Sequence, residues 1–368
     1  MSTGRVLVAM SGGVDSSVAA ALLHEQGYEV IGATMKLFCY GDSVPDRPCC
    51  SLDSINDARR VCEQLGVPHY VLNMESAFGR DVVQNFVSEY AAGRTPIPCV
   101  RCNTFTKFRD LLRKAEAIDA QWIATGHYAR IVNGELHRGA DHAKDQSYFL
   151  WGIDRDVVRK MLLPIGELTK PETRARAHAL GLEVVAEKVE SQDICFVPDG
   201  DHTKILAKHL GADAPSLSAG PITTSDGRVV GEHRGFARFT IGQRRGLPGG
   251  FAQPMYVVAI RPAERAVVIG PREELLGRGV IAREMNWLVD DAPRVGDRVQ
   301  VQVRHRAAPA RAEIVRLDGD EIELALDEPV AAITPGQSLV VYDGERVLGG
   351  GFIEGSRGAR IALPVLAA

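Results

Sequence analysis

Hydrophobic and polar positions in the first third of the chain switch between a strand-like and a helix-like period. Arg5 to Met10 is a short apolar run of strand length, and after a Gly-Gly turn Val14 to Gln26 reads as a helix. Tyr28 to Met35 is a second strand. Ile55, Ala58, Cys62 and Leu65 recur at helical spacing, and Gly66 closes that face. Pro68 to Leu72 reads as a third strand and Gln121 to Ala124 as a fourth. Between them Phe105, Phe108, Leu111, Leu112 and Ala115 mark a helix. Strands alternating with helices of this length predict an α/β domain with a doubly wound parallel sheet and helices on both faces.

Further on, Thr169-Lys170-Pro171-Glu172 combines a capping box with an early proline, and Gly181 ends the helix it opens. Ser216 to Arg228 is rich in Ser, Gly, Thr and Pro and reads as a linker or surface loop. In Arg298 to Ala307 the residues Arg298, Gln300, Gln302, Arg304 and Arg306 alternate with Val299, Val301 and Val303, the period of a half-buried strand. Asp318-Gly319 and Asp343-Gly344 each separate two apolar runs, a hairpin signal. The expected organisation is a nucleotide-binding domain over 1–200, a small central module over 201–275, and an antiparallel β-barrel or sandwich over 276–368.

Composition narrows the class. The chain has 368 residues, 45% hydrophobic and 24% charged, which excludes wholesale disorder. No apolar run approaches the roughly 20 residues of a membrane helix. The first residues resemble neither a secretory signal nor a transit peptide, so a cytoplasmic protein is expected. Net charge is −4, so nucleic-acid contacts must come from local basic patches such as Arg244, Arg245, Arg298, Arg304, Arg306, Arg311 and Arg316. Seven cysteines without an export signal argue against a disulfide framework.

Two features carry chemistry. Ala9-Met10-Ser11-Gly12-Gly13-Val14-Asp15-Ser16-Ser17 ends a strand, turns on two glycines and opens a helix, so backbone N–H groups and the helix dipole meet an anion. No Gly-Lys-Ser/Thr follows, which excludes the loop of kinases and GTPases. The loop resembles the PP-loop of ATP pyrophosphatases. That resemblance implies an ATP whose α-phosphate is attacked, with Ser11, Ser16 and Ser17 on phosphate oxygens and Asp15 on Mg²⁺. Met35 then lies where adenine would pack, unless it is plain core, and Gly126 lets the nucleotide approach. His127 faces substrate or is a satisfied core histidine.

The second feature is cysteine. Cys62 reads as structural; Cys39, Cys49 and Cys50 could bind zinc but lack an obvious fourth ligand. Cys102 ends a Pro-rigidified loop, is placed at the N-terminus of the Phe105 helix with Arg101 beside it, and is expected to have a depressed pKa. Cys195, in Ser191-Gln192-Asp193-Ile194-Cys195, is the second reactive candidate. Two such thiols beside an adenylating loop suggest sulfur transfer.

Taken together, Ser11 to Ser16, Gly93-Arg94-Thr95-Pro96, Cys102-Asn103, Ala124-Thr125-Gly126-His127-Tyr128, Lys144 to Tyr148, Ser191 to Cys195, Thr240 to Gly246 and Thr334-Pro335-Gly336-Gln337 resemble the tRNA-specific 2-thiouridylase family over nearly the whole chain. The resemblance implies ATP held by Ala9, Met10, Ser11, Gly12, Gly13, Val14, Asp15, Ser16, Met35 and Gly126. It implies catalysis by Cys102 and Cys195 with a persulfide on Cys195, and transient disulfide formation between the two. It further implies that Ile97, Pro98 and Cys99 meet the target base and that His127, Lys144, Asp145, Gln146, Arg304, His305 and Gln337 meet the tRNA. The reaction implied is ATP-dependent 2-thiolation of the wobble uridine of tRNA by a monomer, supplied with sulfur by a cysteine desulfurase or persulfide carrier. The family often has Asn at 97 and Asp or Cys at 99, so Ile97-Pro98-Cys99 departs from it at the base contact. Cys99, Cys102 and Cys195 also suit an iron–sulfur cluster; a Cys102–Cys195 redox pair with Cys99 a bystander is preferred. The competing classes are another adenylating synthetase of amidotransferase type and a non-catalytic RNA-binding protein.

Overall fold

The computed structural model describes residues 3–38, 52–188 and 194–358. β1 (Arg5–Ala9), α1 (Val14–Glu25), β2 (Glu29–Lys36), α2 (Leu52–Leu65), β3 (His69–Asn73) and β4 (Trp122–Ala124) follow the expected order. A hairpin of β5 (Ala129–Val132) and β6 (Glu135–Arg138) then precedes the two-residue β7 (Met161–Leu162). The sheet is all parallel, in the order β3-β2-β1-β4-β7. β1 is central and buried on both faces. Val6, Val8 and Met10 join α1 in one core, while Leu7 and Ala9 join Phe108, Leu111 and Trp151 in the other. This two-sided burial is why the run is continuously apolar rather than alternating. Winding reverses between β1 and β4, so the crevice beyond their carboxyl ends is the expected ligand position.

The central module is a four-stranded sheet of β8 (Gly220–Thr224), β9 (Val229–His233), β10 (Tyr256–Arg261) and β11 (Ala266–Gly270), in the order β10-β11-β8-β9. The Ser216–Arg228 stretch is therefore no linker. It holds β8 and its turn, and Ser216 is buried. Its polar and Pro-rich composition hid a short strand that pairs on both sides.

β12 (Leu276–Trp287), β13 (Arg298–Gln302), β14 (Ala310–Asp318), β15 (Glu321–Ala331), β16 (Ser338–Asp343) and β17 (Arg346–Arg357) pair antiparallel and close through β12–β17 into a barrel. Both Asp-Gly sites turn hairpins: Asp318 pairs with Glu321 and Asp343 with Arg346, with Gly319 and Gly344 each at φ +58. The Arg298 strand is shorter than its alternation predicts, ending at Gln302.

The barrel is not a separate appendage. β6 extends its sheet by pairing with β17. The Tyr148 hydroxyl donates to the Ser338 carbonyl and Trp151 Nε1 to Ser338 Oγ, both at 2.9 Å. Val340, Tyr342 and Val347 of the barrel share one core with Leu7 and Phe108. Among the described residues no helix is long and apolar enough to cross a membrane.

Candidate active site

The phosphate loop lies at the switch point between β1 and β4. Gly13 caps α1 in extended conformation (φ −103, ψ 166), and Ser16 Oγ accepts from the Ser11 N–H at 3.1 Å and lies 3.2 Å from Ser11 Oγ. A side chain on Gly13 would meet only Ser11 Oγ, 3.5 Å away, so the space above the loop is open for a ligand. Gly12 differs: at φ +71 it lies against the Ser54 backbone of α2, which a Cβ would strike. Ser17 corrects the expectation for it. Fully buried, it donates to the Gly13 carbonyl at 2.9 Å and cannot face a phosphate. Met10 is core apart from its backbone, whose N–H donates to the Ala33 carbonyl. Met35 is partly buried between two apolar clusters.

Gly126 follows β4. The room a Cβ would need there is filled by the Asp15 carbonyl carbon and the Ser16 nitrogen, both at 2.6 Å. The close approach it permits is thus that of the loop's own backbone. Gly126→Ala is expected to push the Asp15–Ser16 turn away and lower ATP affinity by about tenfold or more, because small misplacements near reacting groups are costly. Calorimetric titration with a non-hydrolysable ATP analogue checks it, and unchanged affinity would refute it. Beside it, His127 Nδ1 shares a 2.7 Å hydrogen bond with Thr125 Oγ1 and the ring packs on Phe108. Burial, with Lys107 adding to it, pushes the His127 pKa down to about 3, so the imidazole is neutral at physiological pH.

Two lysines that sequence reasoning missed stand over the loop. Lys170 Nζ is buried and reaches both oxygens of Asp15, at 2.8 and 2.9 Å, and the Tyr128 hydroxyl lies 2.9 Å from Asp15 Oδ1. The capping box at Thr169 is formed as expected and sets the helix that carries Lys170. Lys188 Nζ donates to the Gly12 carbonyl at 3.0 Å and pairs with Asp57 at 2.7 Å. A cluster of lysines around a Gly-Gly loop was the available signal, but they lie more than 150 residues from it. Asp15, the one acidic side chain of the loop, is paired with Lys170, and among the described residues no group of three His, Cys, Asp or Glu side chains is placed to hold a metal. A Mg²⁺ ion carried on phosphates needs only one or two carboxylates from the protein, and Asp15 fits that role.

Cys102 belongs to one apolar cluster with Phe86, Tyr90, Phe196 and Ala237, and half-buried Cys195 packs against the same cluster despite its separation in sequence. Cys99 is exposed and outside it. The helix around Cys102 starts earlier than expected, at Pro98 with Ile97 as its cap, and widens to π-helical bonding over Cys102–Arg109. Cys102 is thus a turn inside the helix, buried at 6% exposure, and the N-terminal dipole is not what acts on it. Widened turns of this kind recur at functional sites. Burial pushes the Cys62 thiol up to about 11, in keeping with a structural role. Cys39, Cys49, Cys50, Ser191, Gln192 and Asp193 lie outside the described residues.

The residues assigned to tRNA divide. Asp145 is a buried anchor: Oδ1 accepts from the Gly139 and Ser147 N–H groups at 3.0 Å, and Oδ2 pairs with Arg138 at 3.1 Å. Gln146 Oε1 accepts from the Tyr128 N–H at 2.9 Å, and Lys144 stays partly exposed. His305 packs on Phe149 at 4.4 Å and Tyr148 at 5.8 Å, and burial lowers its pKa. Ile97 and Pro98 are buried. Gln337 Nε2 donates to the Thr95 carbonyl at 2.9 Å. Arg298 and Arg316 are answered by acids, Asp327 and Glu313 for the first, Asp318, Glu321 and Glu323 for the second, so that strand face is balanced rather than basic. Arg244, Arg245, Arg304 and Arg306 are exposed, and Arg304 reaches the Ile241 carbonyl at 3.3 Å, which joins the two arginine segments into one surface.

A parallel sheet with an anion-binding Gly-Gly loop at its switch point, followed by a β-module and a closed barrel, defines a PP-loop nucleotide-binding protein with two further β-rich domains. The chain matches the tRNA methyl transferase HUP domain family over residues 4–199, the tRNA methyl transferase PRC-barrel domain over 203–271 and the aminomethyltransferase β-barrel domain over 277–353. It is 46% identical over 365 residues to a tRNA-specific 2-thiouridylase MnmA of Koribacter versatilis, covering 95% of this chain and 98% of that one. To the protein of the same name from Parvibaculum lavamentivorans it is 48% identical over 366 residues, with 95% and 90% covered. The chain belongs to the tRNA-specific 2-thiouridylase family. A solved 4-thiouridine synthetase–RNA complex with bound ATP is similar at 16% identity and a TM-score of 0.35, over 57% of this chain and 51% of that one, a likeness too slight to bear on function.

Proposed function

We propose that the protein 2-thiolates the wobble uridine of tRNA at the expense of ATP. The observation that carries this reading is that Cys102 and Cys195 pack into the same apolar cluster of a PP-loop domain, in a chain of the 2-thiouridylase family. Residues 1–200 hold the chemistry, and the central module and barrel hold the tRNA.

The uridine 2-oxygen is a poor leaving group. Its attack on the α-phosphorus of ATP expels pyrophosphate and turns that oxygen into part of an AMP leaving group. The loop N–H groups and the lysines around them favour the charge that develops on phosphate. Mg²⁺ would add charge neutralisation on the phosphates. Cys195 carries the sulfur as a persulfide. Either Cys102 attacks the Cys195 sulfur to free hydrosulfide, which displaces AMP from C2, or the persulfide attacks C2 directly and Cys102 then cleaves the S–S bond. Both routes leave a Cys102–Cys195 disulfide that a thiol reductant resets. Neutral His127 beside Gly126 offers a hydrogen bond without adding charge. The sulfur donor is a cysteine desulfurase or a persulfide carrier, and the protein works as a monomer in the cytoplasm.

Mass spectrometry of tRNA nucleosides after incubation with ATP, Mg²⁺ and a persulfide source tests the reading. 2-Thiouridine in the anticodon supports it. Pyrophosphate release independent of tRNA points to a synthetase of another kind, and tRNA binding without thiolation to a binding protein.

Reversing Arg244, Arg245 and Arg306 to Glu is expected to weaken tRNA binding and flatten its salt dependence. The log–log slope should fall by about one unit for every phosphate that these arginines neutralise. Filter binding over a salt series reads both quantities. An unchanged slope would reduce these arginines to a solvated surface.

A further inference from the structure

Residues 93–96 touch all three parts of the molecule. On the catalytic side, the Gly93 N–H donates to the Tyr90 carbonyl and Arg94 Nε to Glu89 at 2.7 Å. On the central module, Gly93 sits at φ +72 with no room for a Cβ, which would lie 2.7 Å from Pro262 and 3.0 Å from Ile260. Thr95 Oγ1 lies 3.2 Å from Thr240 Oγ1. From the barrel, Glu354 pairs with Arg94 Nη1 at 2.8 Å, the Ile353 carbonyl accepts from Arg94 at 3.3 Å, and the Pro335 carbonyl accepts the Thr95 N–H at 3.0 Å. Gln337 completes it on the Thr95 carbonyl. The Arg94 side chain is 14% exposed, with Glu89 and Glu354 at 23% and 18%, so the ion pairs are largely withdrawn from water.

This turn runs directly into Ile97, the cap of the helix that carries Cys102. We infer that the Arg94–Glu354 and Gln337–Thr95 contacts form a clamp between barrel and catalytic domain that positions the Cys102 helix, so that seating of tRNA on the barrel sets where Cys102 stands. The inference rests on the thiolation reading above. Arg94, Glu354 and Gln337 act through Cys102 and are positioning residues.

The clamp has a consequence that a purely structural contact lacks. Adenylation uses the phosphate loop, whereas sulfur delivery uses Cys102. A misplaced Cys102 leaves the adenylated uridine waiting, and water then attacks it, releasing AMP and regenerating uridine. ATP is consumed without thiolation.

The test measures pyrophosphate released per 2-thiouridine formed, with tRNA affinity, in the full-length protein. In Glu354→Gln the ratio is expected to rise about tenfold or more, since small misplacements of reacting groups cost up to about 100-fold, while tRNA affinity stays within about twofold. Gln337→Met, which keeps size but not the donor, should raise the same ratio. Arg94→Lys, which keeps the charge, should lie between wild type and Glu354→Gln. If pyrophosphate release and thiolation fall together at a constant ratio, or if neither changes, the clamp does not position Cys102. Absence of thiolation by the wild-type protein would instead sink the thiolation reading itself.

Discussion

Replacing Cys195 with Ser is expected to abolish 2-thiouridine formation while tRNA-dependent pyrophosphate release stays within about threefold of wild type, because the exchange leaves the adenylating groups in place. A serine hydroxyl cannot carry a persulfide, so the sulfur has no station from which to reach the adenylate. The loop, Lys170 and Lys188 lie on other elements, and the exchange replaces a single half-buried atom at the edge of the cluster of Phe86, Phe196 and Cys102. Nucleoside mass spectrometry and a pyrophosphate assay on the same samples read both halves. Thiolation that survives would move the persulfide to another cysteine. Equal loss of pyrophosphate release would mean that Cys195 also shapes the ATP site.

Lys170→Met should have the largest effect on the nucleotide half. Methionine keeps most of the stem but removes an ammonium that meets both oxygens of Asp15 at the mouth of the phosphate loop. Asp15 then stands as an unopposed negative charge where a triphosphate must bind. Removing one preorganised charged donor typically costs 100-fold or more, and a loss of about that size in tRNA-dependent pyrophosphate release is expected. Because the Asp15 side chain is 31% exposed, water takes over part of its solvation, and the stability loss should be only about 2 kcal/mol. Thermal unfolding separates the two. A wild-type rate in Lys170→Met would leave the lysine as a mere buried counter-ion.

How far the sequence alone reached is clearest residue by residue. The β1 run, the Gly12-Gly13 turn and the Thr169 capping box were legible because each rests on local backbone chemistry within a few residues. So were the Asp-Gly hairpins, where Gly319 and Gly344 adopt the left-handed backbone that such turns require. The strand in Ser216–Arg228 was not legible, because its partners, β9 and β11, rather than its own composition, make it a strand. The role expected of Ser17 failed for a related reason. Its place in the loop sequence is right, but the first turn of α1 aims its hydroxyl back at the Gly13 carbonyl. Asp145, placed on the tRNA by the family resemblance, is instead enclosed by Arg138 and two backbone N–H groups once the chain folds.

What the sequence determined by itself was therefore local: an anion-binding loop between strand and helix, two cysteines in distinctive settings, and three regions of different periodicity. Tertiary structure decided which groups meet. It packed Cys195 against the cluster that holds Cys102 and left Cys99 in solvent, set Lys170 on Asp15 and Lys188 on Gly12, and hung the loop before Cys102 on the barrel through Arg94 and Gln337. Short-range backbone preference reaches only a few residues along the chain. The meeting of these groups depends instead on how the sheet winds about β1 and how the barrel shares its core with the catalytic domain, and both are set by burial of apolar surface between segments far apart in sequence.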